Sequence, residues 1–248
     1  MRVLEPSTML DLWEAGRAQM PFARADLLLH ALYPDADADA LLAIPIGRRD
    51  GVLLRLRAGL FGPTIHGVVG CPHCSAPLEM DLETDTLLGL ETAPALDLPR
   101  RLTVGDYTLE LRLLTTRDLI ATMNLAPAER AAALFTRCIV TASYGSEIVQ
   151  ATTLPQPVVS AVANEMATLD TLADVQFALT CPECGNQWRA AFDIVDLLWR
   201  ELEHWAKRIL HEVHVLASAY SWHEAEILAL SPWRRAHYLG LIVEQVQS

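Results

Sequence analysis

The chain has no long apolar run. No uninterrupted apolar stretch approaches the ~18 residues that a membrane span needs. The N-terminal residues include Glu5, Asp11 and Glu14, so they lack the basic and then apolar regions of a secretory signal peptide. These absences predict a cytosolic protein without a membrane partner. Thiols stay reduced in the cytosol, and paired cysteines there more often hold a metal than form disulfides.

Positive charge is also scarce. The chain has 19 Lys and Arg residues against 31 Asp and Glu residues, which gives a net charge of −12. Such a chain is repelled by phosphate backbones, and no basic run is longer than a pair such as Arg48-Arg49 or Arg234-Arg235. Nucleic acid is therefore an unfavourable partner. Hydrophobic residues make up 52% of the 248 residues, which is enough for a sizeable buried core.

Familiar catalytic motifs are absent as well. The sequence contains no G-x-S-x-G, no P-loop and no glycine-rich dinucleotide turn. The segment HEVH does not fit a zinc-protease helix, because His211 and His214 are three positions apart where that helix needs four. We expect these histidines to be surface or packing residues. The acidic residues are scattered, and the chain is predicted not to be an enzyme.

The hydrophobic pattern predicts an α+β fold in three parts. Residues 1–62 form an N-terminal helical segment, residues 63–194 a region with strands, and residues 195–248 a C-terminal helical module. The predicted elements are a polar connector at 34–40, a helix at 46–62, a hairpin at 102–114 around Gly105-Asp106, helices near 116–124, 127–140 and 155–168, a long helix with one apolar stripe at 193–219, a short helix at 222–229 capped by Ser221 and Glu224, and a last helix at 232–246.

Four of the five cysteines form two C-P-x-C pairs. The pairs are Cys71 with Cys74 and Cys181 with Cys184. Each pair places two thiolates on one tight turn between strand-like segments, and two such knuckles supply the four ligands of a tetrahedral zinc site. We therefore expect a structural Zn²⁺ ion at these four residues. Cys138 lies on an apolar helix and is expected to be a small core residue.

Two alternatives to a four-thiolate zinc site stay open. C-x-x-C is also the motif of redox dithiols, although neither pair lies in a β-α-β pattern. His73 lies inside the first knuckle and offers a nitrogen ligand in place of a thiolate. The presence of two copies of the motif favours a closed metal site.

The spacing of the pairs predicts a split zinc ribbon. Between Cys74 and Cys181 lie 106 residues, far more than the ~15–20 of a compact ribbon. The hairpin and helices of about 83–173 would then be an inserted α/β region, and the ribbon would be flanked by the N-terminal and C-terminal helical segments. A metal that closes so long a loop ties two distant segments together.

The sequence contains one internal echo. Residues 42–53 and 228–239 share the pattern L-A-apolar-x-x-x-R-R-x-x-apolar-L. Helix starts of the same kind often share such patterns, because the same arrangement of apolar and polar residues recurs in many helices. A duplicated small helical module is the other interpretation, and both stay open.

Aromatic residues lie near the arginine pair Arg234-Arg235. Trp222 and Trp233 are close in sequence to Arg234-Arg235, and Trp, Tyr and Arg are favoured types in protein contacts. Packing of the terminal helices onto the stripe of the long helix explains the same residues equally well.

Six segments resemble a known family. They are LDLWEAGR (10–17), IGRRDGVLLRLRAGLFG (46–62), GVVGCPHC (67–74), TTRDL (115–119), CPECGNQWRAAFDI (181–194) and HEVHVLASAYSWHEAEILALSPWRRAHYLGLI (211–242). Together they resemble the T-even-type phage baseplate hub assembly chaperones, which are encoded in contractile-tail phages and in phage-derived extracellular contractile injection systems. The resemblance runs nearly end to end. Residues 214–239 also resemble small stand-alone proteins of the same gene clusters, which suggests a module that is either fused or separate.

The resemblance implies a role without catalysis. Such a protein would help to assemble the baseplate, or join it, with baseplate or hub proteins as partners, in the bacterial cytoplasm or within the assembled particle. The four knuckle cysteines match the family motif. The resemblance also implies partner binding by eight residues of the C-terminal module: Trp222, Glu226, Ile227, Leu230, Arg234, Arg235, Tyr238 and Leu239. The alternative function is a nucleic-acid-binding zinc-ribbon regulator.

Overall fold

The computed structural model describes residues 4–91 and 99–246. It combines helices with small antiparallel sheets, so the fold is α+β, as predicted. The helices are α1 (Pro6–Gly16), α2 (Pro21–Leu32), α3 (Ala38–Leu42), α4 (Ile46–Phe61), α5 (Thr84–Leu88), α6 (Thr116–Thr122), α7 (Pro127–Cys138), α8 (Gln156–Leu169), α9 (Ile194–Tyr220), α10 (Glu224–Leu228) and α11 (Pro232–Val246). The strands are β1 (Thr64–Gly70), β2 (Pro77–Glu83), β3 (Arg100–Val104), β4 (Tyr107–Leu111), β5 (Ile139–Tyr144), β6 (Glu147–Ile148), β7 (Gln176–Thr180) and β8 (Gln187–Ala191).

Contacts divide the chain into two compact units. One comprises Met1–Asp35 and Val195–Ser248, and the other comprises Ala36–Ile194. The described part of the first unit is helical, whereas the strands lie in the second. The division of the chain into three parts, at residues 62 and 194, stays a prediction.

In the second unit, a four-stranded sheet packed against α8 comes between two two-stranded hairpins in chain order. The hairpins are β1–β2 and β7–β8, and the sheet has the order β3-β4-β5-β6. Its buried side chains form one apolar cluster with those of α8 and the segment before it: Leu109, Leu111, Ala142, Leu154, Val158 and Val162. The β3–β4 hairpin turns at Gly105, whose φ of 58° suits glycine. The predicted hairpin is thus confirmed.

The predicted helix at 127–140 is too long. Helix α7 ends at Cys138, and Ile139 begins β5, a strand that the hydrophobic pattern does not predict. β5 pairs with β4 between Tyr107 and Leu111. β-branched residues such as Ile139, Val140 and Thr141 suit a pleated strand better than the end of a helix.

Helix α9 supplies an apolar stripe to the helical unit. Five residues at spacings of three, four and seven are buried, which confirms the predicted stripe: Leu198, Leu202, Ile209, Val213 and Leu216. His211 and His214 lie on the exposed side of the same helix.

Helix α10 begins two residues later than predicted. Ser221 has a φ of 56° and therefore lies in a turn rather than at a helix cap. The carboxylate of Glu226 accepts a hydrogen bond from the His223 N–H at 2.9 Å. The predicted cap by Ser221 and Glu224 is wrong, because the acidic residue that closes the first turn is two positions further along.

Two helix pairs share one layout. The first helix pair is α3–α4, and the second helix pair is α10–α11. In both pairs the first helix has five residues, and the longer second helix begins four positions after the last residue of the first. Corresponding helix starts are 186 positions apart. The second arginine of each Arg-Arg pair is buried in both, at Arg49 and Arg235. This matched layout favours a duplicated helical module over a chance echo.

Helix α1 ends against an aromatic ring of α9. We expect Gly16→Ala to lower the free energy of unfolding by about 1–3 kcal/mol, as overpacking does. The added Cβ would lie 2.1 Å from the Trp199 ring, and the Arg24 guanidinium already stacks 4.7 Å from that ring. Chemical denaturation measures the change.

Gly240→Ala in α11 is the control, because no atom lies within 4 Å of its new Cβ. It should be neutral or stabilising by up to ~1 kcal/mol. Equal losses in both variants would contradict the close approach.

Candidate metal centre

The four paired cysteines lie in the turns of two hairpins, β1–β2 and β7–β8: Cys71, Cys74, Cys181 and Cys184. Both turns have the same backbone. In each, the carbonyl of the first cysteine accepts a hydrogen bond of 2.9 Å from the residue four positions on, which is Ser75 in one turn and Gly185 in the other. Both residues have positive φ values, 60° and 71°. The repeated C-P-x-C motif therefore forms two equivalent knuckles.

The four sulfur atoms lie close enough to share one ion. All four Sγ atoms are within 4.8 Å of one another. Two short Sγ–Sγ distances join one hairpin to the other: 3.7 Å from Cys71 to Cys184 and 3.6 Å from Cys74 to Cys181. A tetrahedral Zn²⁺ ion with Zn–S bonds of ~2.3 Å places its sulfurs about 3.8 Å apart, whereas a disulfide needs about 2.05 Å. The geometry thus fits a shared metal ion and not a disulfide.

This crowding also sets the ionisation of the thiols. Burial opposes ionisation of Cys71, yet the backbone N–H groups of Cys74 and His73 and the neighbouring thiols lower its pKa to about 6. At Cys184 the Asn186 N–H favours the thiolate, but burial and the other three thiols raise the pKa to about 12. One thiolate forms readily and then disfavours the others, so four thiolates require a cation among them.

Cys138 and His73 lie outside the sulfur cluster. Cys138 is buried, and burial raises its pKa to about 11, as expected of a core thiol. His73 is exposed at the tip of the first knuckle. Across residues 4–91 and 99–246, the four cysteines are the one group of His, Cys, Asp or Glu side chains with the spacing of a metal site.

Five of the eight residues predicted to bind a partner line one cleft of about 180 Å³ in the second helix pair: Trp222, Glu226, Leu230, Arg234 and Tyr238. We call this the C-terminal cleft. Trp222 belongs to an aromatic cluster with Tyr220 and Tyr238, at centroid distances of 4.8 and 4.9 Å. Trp222 therefore packs within the chain and also borders the cleft, so the two interpretations of this tryptophan are compatible.

The other three predicted partner-binding residues lie deeper or beside the cleft. Ile227 is fully buried, and Leu239 is half-buried. Arg235 is buried and donates to the Glu212 carboxylate at 2.9 Å and to the Leu230 carbonyl at 2.6 Å. The burial of Ile227 and the hydrogen bonds of Arg235 indicate that these two residues stabilise the helix pair. Trp233 is 76% exposed and stacks on His237.

A buried ion cluster was missed from the sequence. The Asp118 carboxylate accepts two hydrogen bonds of 2.7 Å from Arg112 and one of 2.8 Å from Arg137. It also accepts from the Thr115 N–H and hydroxyl, at 3.0 and 2.9 Å. The Thr115–Asp118 spacing is typical of a helix cap, and it is the one signal that the sequence offers for this cluster. The arginines come from other elements, so the pattern did not predict them.

The helices and comparisons with known proteins give further information about the chain. None of the helices in the described residues is both long and apolar enough to cross a membrane. No curated protein and no solved structure matches the chain. A family model described as T4 bacteriophage base plate protein matches residues 24–199, which include both knuckles and most of the chain but not the second helix pair. The chain therefore belongs to the family of T4 bacteriophage base plate proteins.

Proposed function

We propose that this protein is a non-enzymatic, zinc-binding assembly chaperone for the baseplate of a contractile phage tail or contractile injection system. The observation that carries the proposal is the family match over residues 24–199, which contains all four clustered cysteines. The protein would act in the bacterial cytoplasm on baseplate or hub proteins, and it would remain available for incorporation into the particle.

Zinc would act as a structural element in this proposal. The four cysteines would form a closed tetrahedral site that leaves no position for a substrate. The two hairpins would then be the halves of a split zinc ribbon, and residues of about 83–173 would be its insertion. The sulfur spacing of 3.6–3.7 Å across the hairpins and the matched knuckle turns support this arrangement.

The C-terminal module would hold a baseplate component. Its cleft collects five of the eight predicted partner-binding residues on one surface, where Trp, Tyr and Arg are typical of contact hot spots. Ile227 and Arg235 would support that surface from beneath, and Leu239 would border it. Residues 214–239 lie outside the matched residues 24–199, which fits a segment that is either fused or separate.

A pull-down from cells that express the surrounding gene cluster tests the proposal. We expect the tagged full-length protein to recover a hub, spike or tube-initiator protein and to carry one zinc ion per chain. Deletion of residues 221–248 should reduce recovery of that protein at least about tenfold, because the cleft is lost.

The zinc content of the truncated chain is the control for this deletion. The knuckles lie in the other compact unit, so zinc should stay bound. Intact particle assembly without residues 221–248 would contradict the role of the module. Recovery of nucleic acid in place of a baseplate protein would favour the zinc-ribbon regulator instead.

A further inference from the structure

The C-terminal cleft contains one unpaired positive charge. Within the described ranges, no oxygen atom accepts a hydrogen bond from the Arg234 guanidinium, and only its backbone N–H is engaged, with Ser231 at 3.3 Å. The carboxylate of Glu226 in the same cleft accepts from the His223 N–H and closes the first turn of α10. The Arg234 guanidinium in the cleft therefore has no hydrogen-bond partner among the described residues, whereas the Glu226 carboxylate has one in the His223 N–H.

The apolar wall of the cleft is formed in advance. Tyr220, Trp222 and Tyr238 pack edge to face or stacked, with centroid distances of 4.8–5.7 Å. Leu230 is half-buried beside them. Rings fixed by one another lose little conformational entropy when a ligand binds, so this wall suits an apolar side chain.

The first helix pair shows what the equivalent position holds. Arg48 corresponds to Arg234, and the residue before it, Gly47, donates its N–H to the Asp170 carboxylate at 3.1 Å. Burial raises the pKa of Asp170, while the Gly47 N–H and the charges of Arg49 and Arg48 oppose that rise. In this pair a distant segment of the chain supplies a carboxylate beside the first arginine.

The second helix pair cannot take a carboxylate along the same path. Trp233 stands where the first pair has Gly47, and a Cβ at Gly47 would lie 2.0 Å from the Asp170 carboxylate oxygen. A partner carboxylate must therefore reach Arg234 by a different path. Arg234 itself lines the C-terminal cleft.

We propose that the C-terminal cleft binds a carboxylate-bearing segment of a baseplate protein, with the carboxylate on Arg234 and an adjoining apolar side chain against Trp222 and Tyr238. The inference rests on the proposed function for the identity of the partner. The occupant is another protein rather than a second copy, because two chains that each carry −12 repel one another. A nucleic acid carries one negative charge per nucleotide, and the net charge of −12 repels it more strongly than a single carboxylate.

Selection from a displayed random peptide library tests the cleft itself. The full-length protein should select peptides that place Asp, Glu or a terminal carboxylate beside an aromatic or aliphatic residue. Arg234→Glu should bind the resynthesised peptide at least about tenfold more weakly, because a charge-assisted hydrogen bond becomes a repulsion. Arg200→Glu, the same charge change at an exposed residue of α9, should bind like the parent protein. Asp→Asn, Glu→Gln and C-terminally amidated peptides distinguish a side-chain carboxylate from a chain end.

Three results would overturn the cleft inference. They are selected peptides without carboxylates, equal binding by Arg234→Glu and Arg200→Glu, and self-association or oligonucleotide binding that depends on Arg234. The pull-down separates this inference from the proposed function. A baseplate protein recovered equally by the parent and Arg234→Glu leaves the function standing without the cleft. Carboxylate peptides selected through Arg234, with no baseplate protein recovered, leave the cleft standing without the function.

Discussion

Cys181→Ser is expected to abolish the proposed zinc binding and to lower the free energy of unfolding by about 5 kcal/mol. The proposed ion closes a loop of about 100 residues, and closing such a loop alone contributes roughly 4.7 kcal/mol in the chain-entropy description. Structural zinc sites often contribute more, because the metal binds only the folded chain. For a protein of this size the loss corresponds to a fall of roughly 10–20 °C in unfolding temperature. Metal analysis and calorimetry on the same samples measure both effects.

The fifth cysteine provides the matched control. Cys138 is buried like Cys181 but lies outside the sulfur cluster. Cys138→Ala should retain one zinc per chain and lose only about 1 kcal/mol, since a small buried side chain is removed. Parent protein treated with a chelator should resemble Cys181→Ser. If the parent protein is free of metal and its cysteines are oxidised in pairs, the zinc site is refuted and the redox dithiol is favoured.

Asp118→Asn is expected to lower the free energy of unfolding by about 2–4 kcal/mol. Removing one member of a buried ion pair typically costs about 3–5 kcal/mol, and the partly exposed side chains of Arg112 and Arg137 reduce that figure. The asparagine amide would face the guanidinium groups with one NH₂ group, where the aspartate offers only acceptors. Urea denaturation at neutral pH measures the loss.

The pH dependence of this effect has a defined sign. Burial opposes ionisation of Asp118, but Arg112, Arg137 and Thr115 hold its pKa well below the usual range. A depressed carboxyl pKa stabilises the fold above its unfolded value of about 3.9, and this stabilisation is lost as the pH falls towards the folded value. The difference between parent and Asp118→Asn should therefore be constant near pH 7 and shrink below about pH 4.

Glu165→Gln is the control for the ion cluster. Glu165 pairs with Arg100 at 2.9 Å, but the arginine side chain is 53% exposed. Exposed pairs contribute about 0–1 kcal/mol, so this variant should unfold almost like the parent protein. A loss at Glu165→Gln as large as that at Asp118→Asn would show that burial of the carboxylate is not the cause.

Elements with a clear local period were predictable from the sequence. The stripe of α9, the hairpin around Gly105 and the start of α11 all follow from spacing or turn chemistry within a few residues. The two knuckle turns also follow from local residues, because C-P-x-C sets the turn by itself. The prediction that the four cysteines lie close together required the two motifs to be considered as one site.

Features that depend on distant residues were not predictable in the same way. The Asp118 cluster joins arginines from separate elements, and the crossed pairing of Cys71 with Cys184 depends on how the hairpins meet. Three of the five residues of helix α3 lie within the predicted polar connector 34–40, where Asp37 caps the helix by accepting from the Ala40 N–H at 3.2 Å. A capped five-residue helix is too short to show a hydrophobic period. β5 was missed because it follows α7 without a turn residue.

The 110-residue distance between the equivalent knuckle positions Cys71 and Cys181 has a consequence for synthesis of the protein. At translation rates of about 5–20 residues per second, the first knuckle leaves the ribosome roughly 5–20 s before the second. During this interval two thiols cannot complete a four-thiolate site. The four-thiolate site would then bind its metal only after the second hairpin has been translated. A chain that ends inside the insertion would lack two of the four ligands. The proposed zinc site would thus form only on a chain whose synthesis is nearly complete.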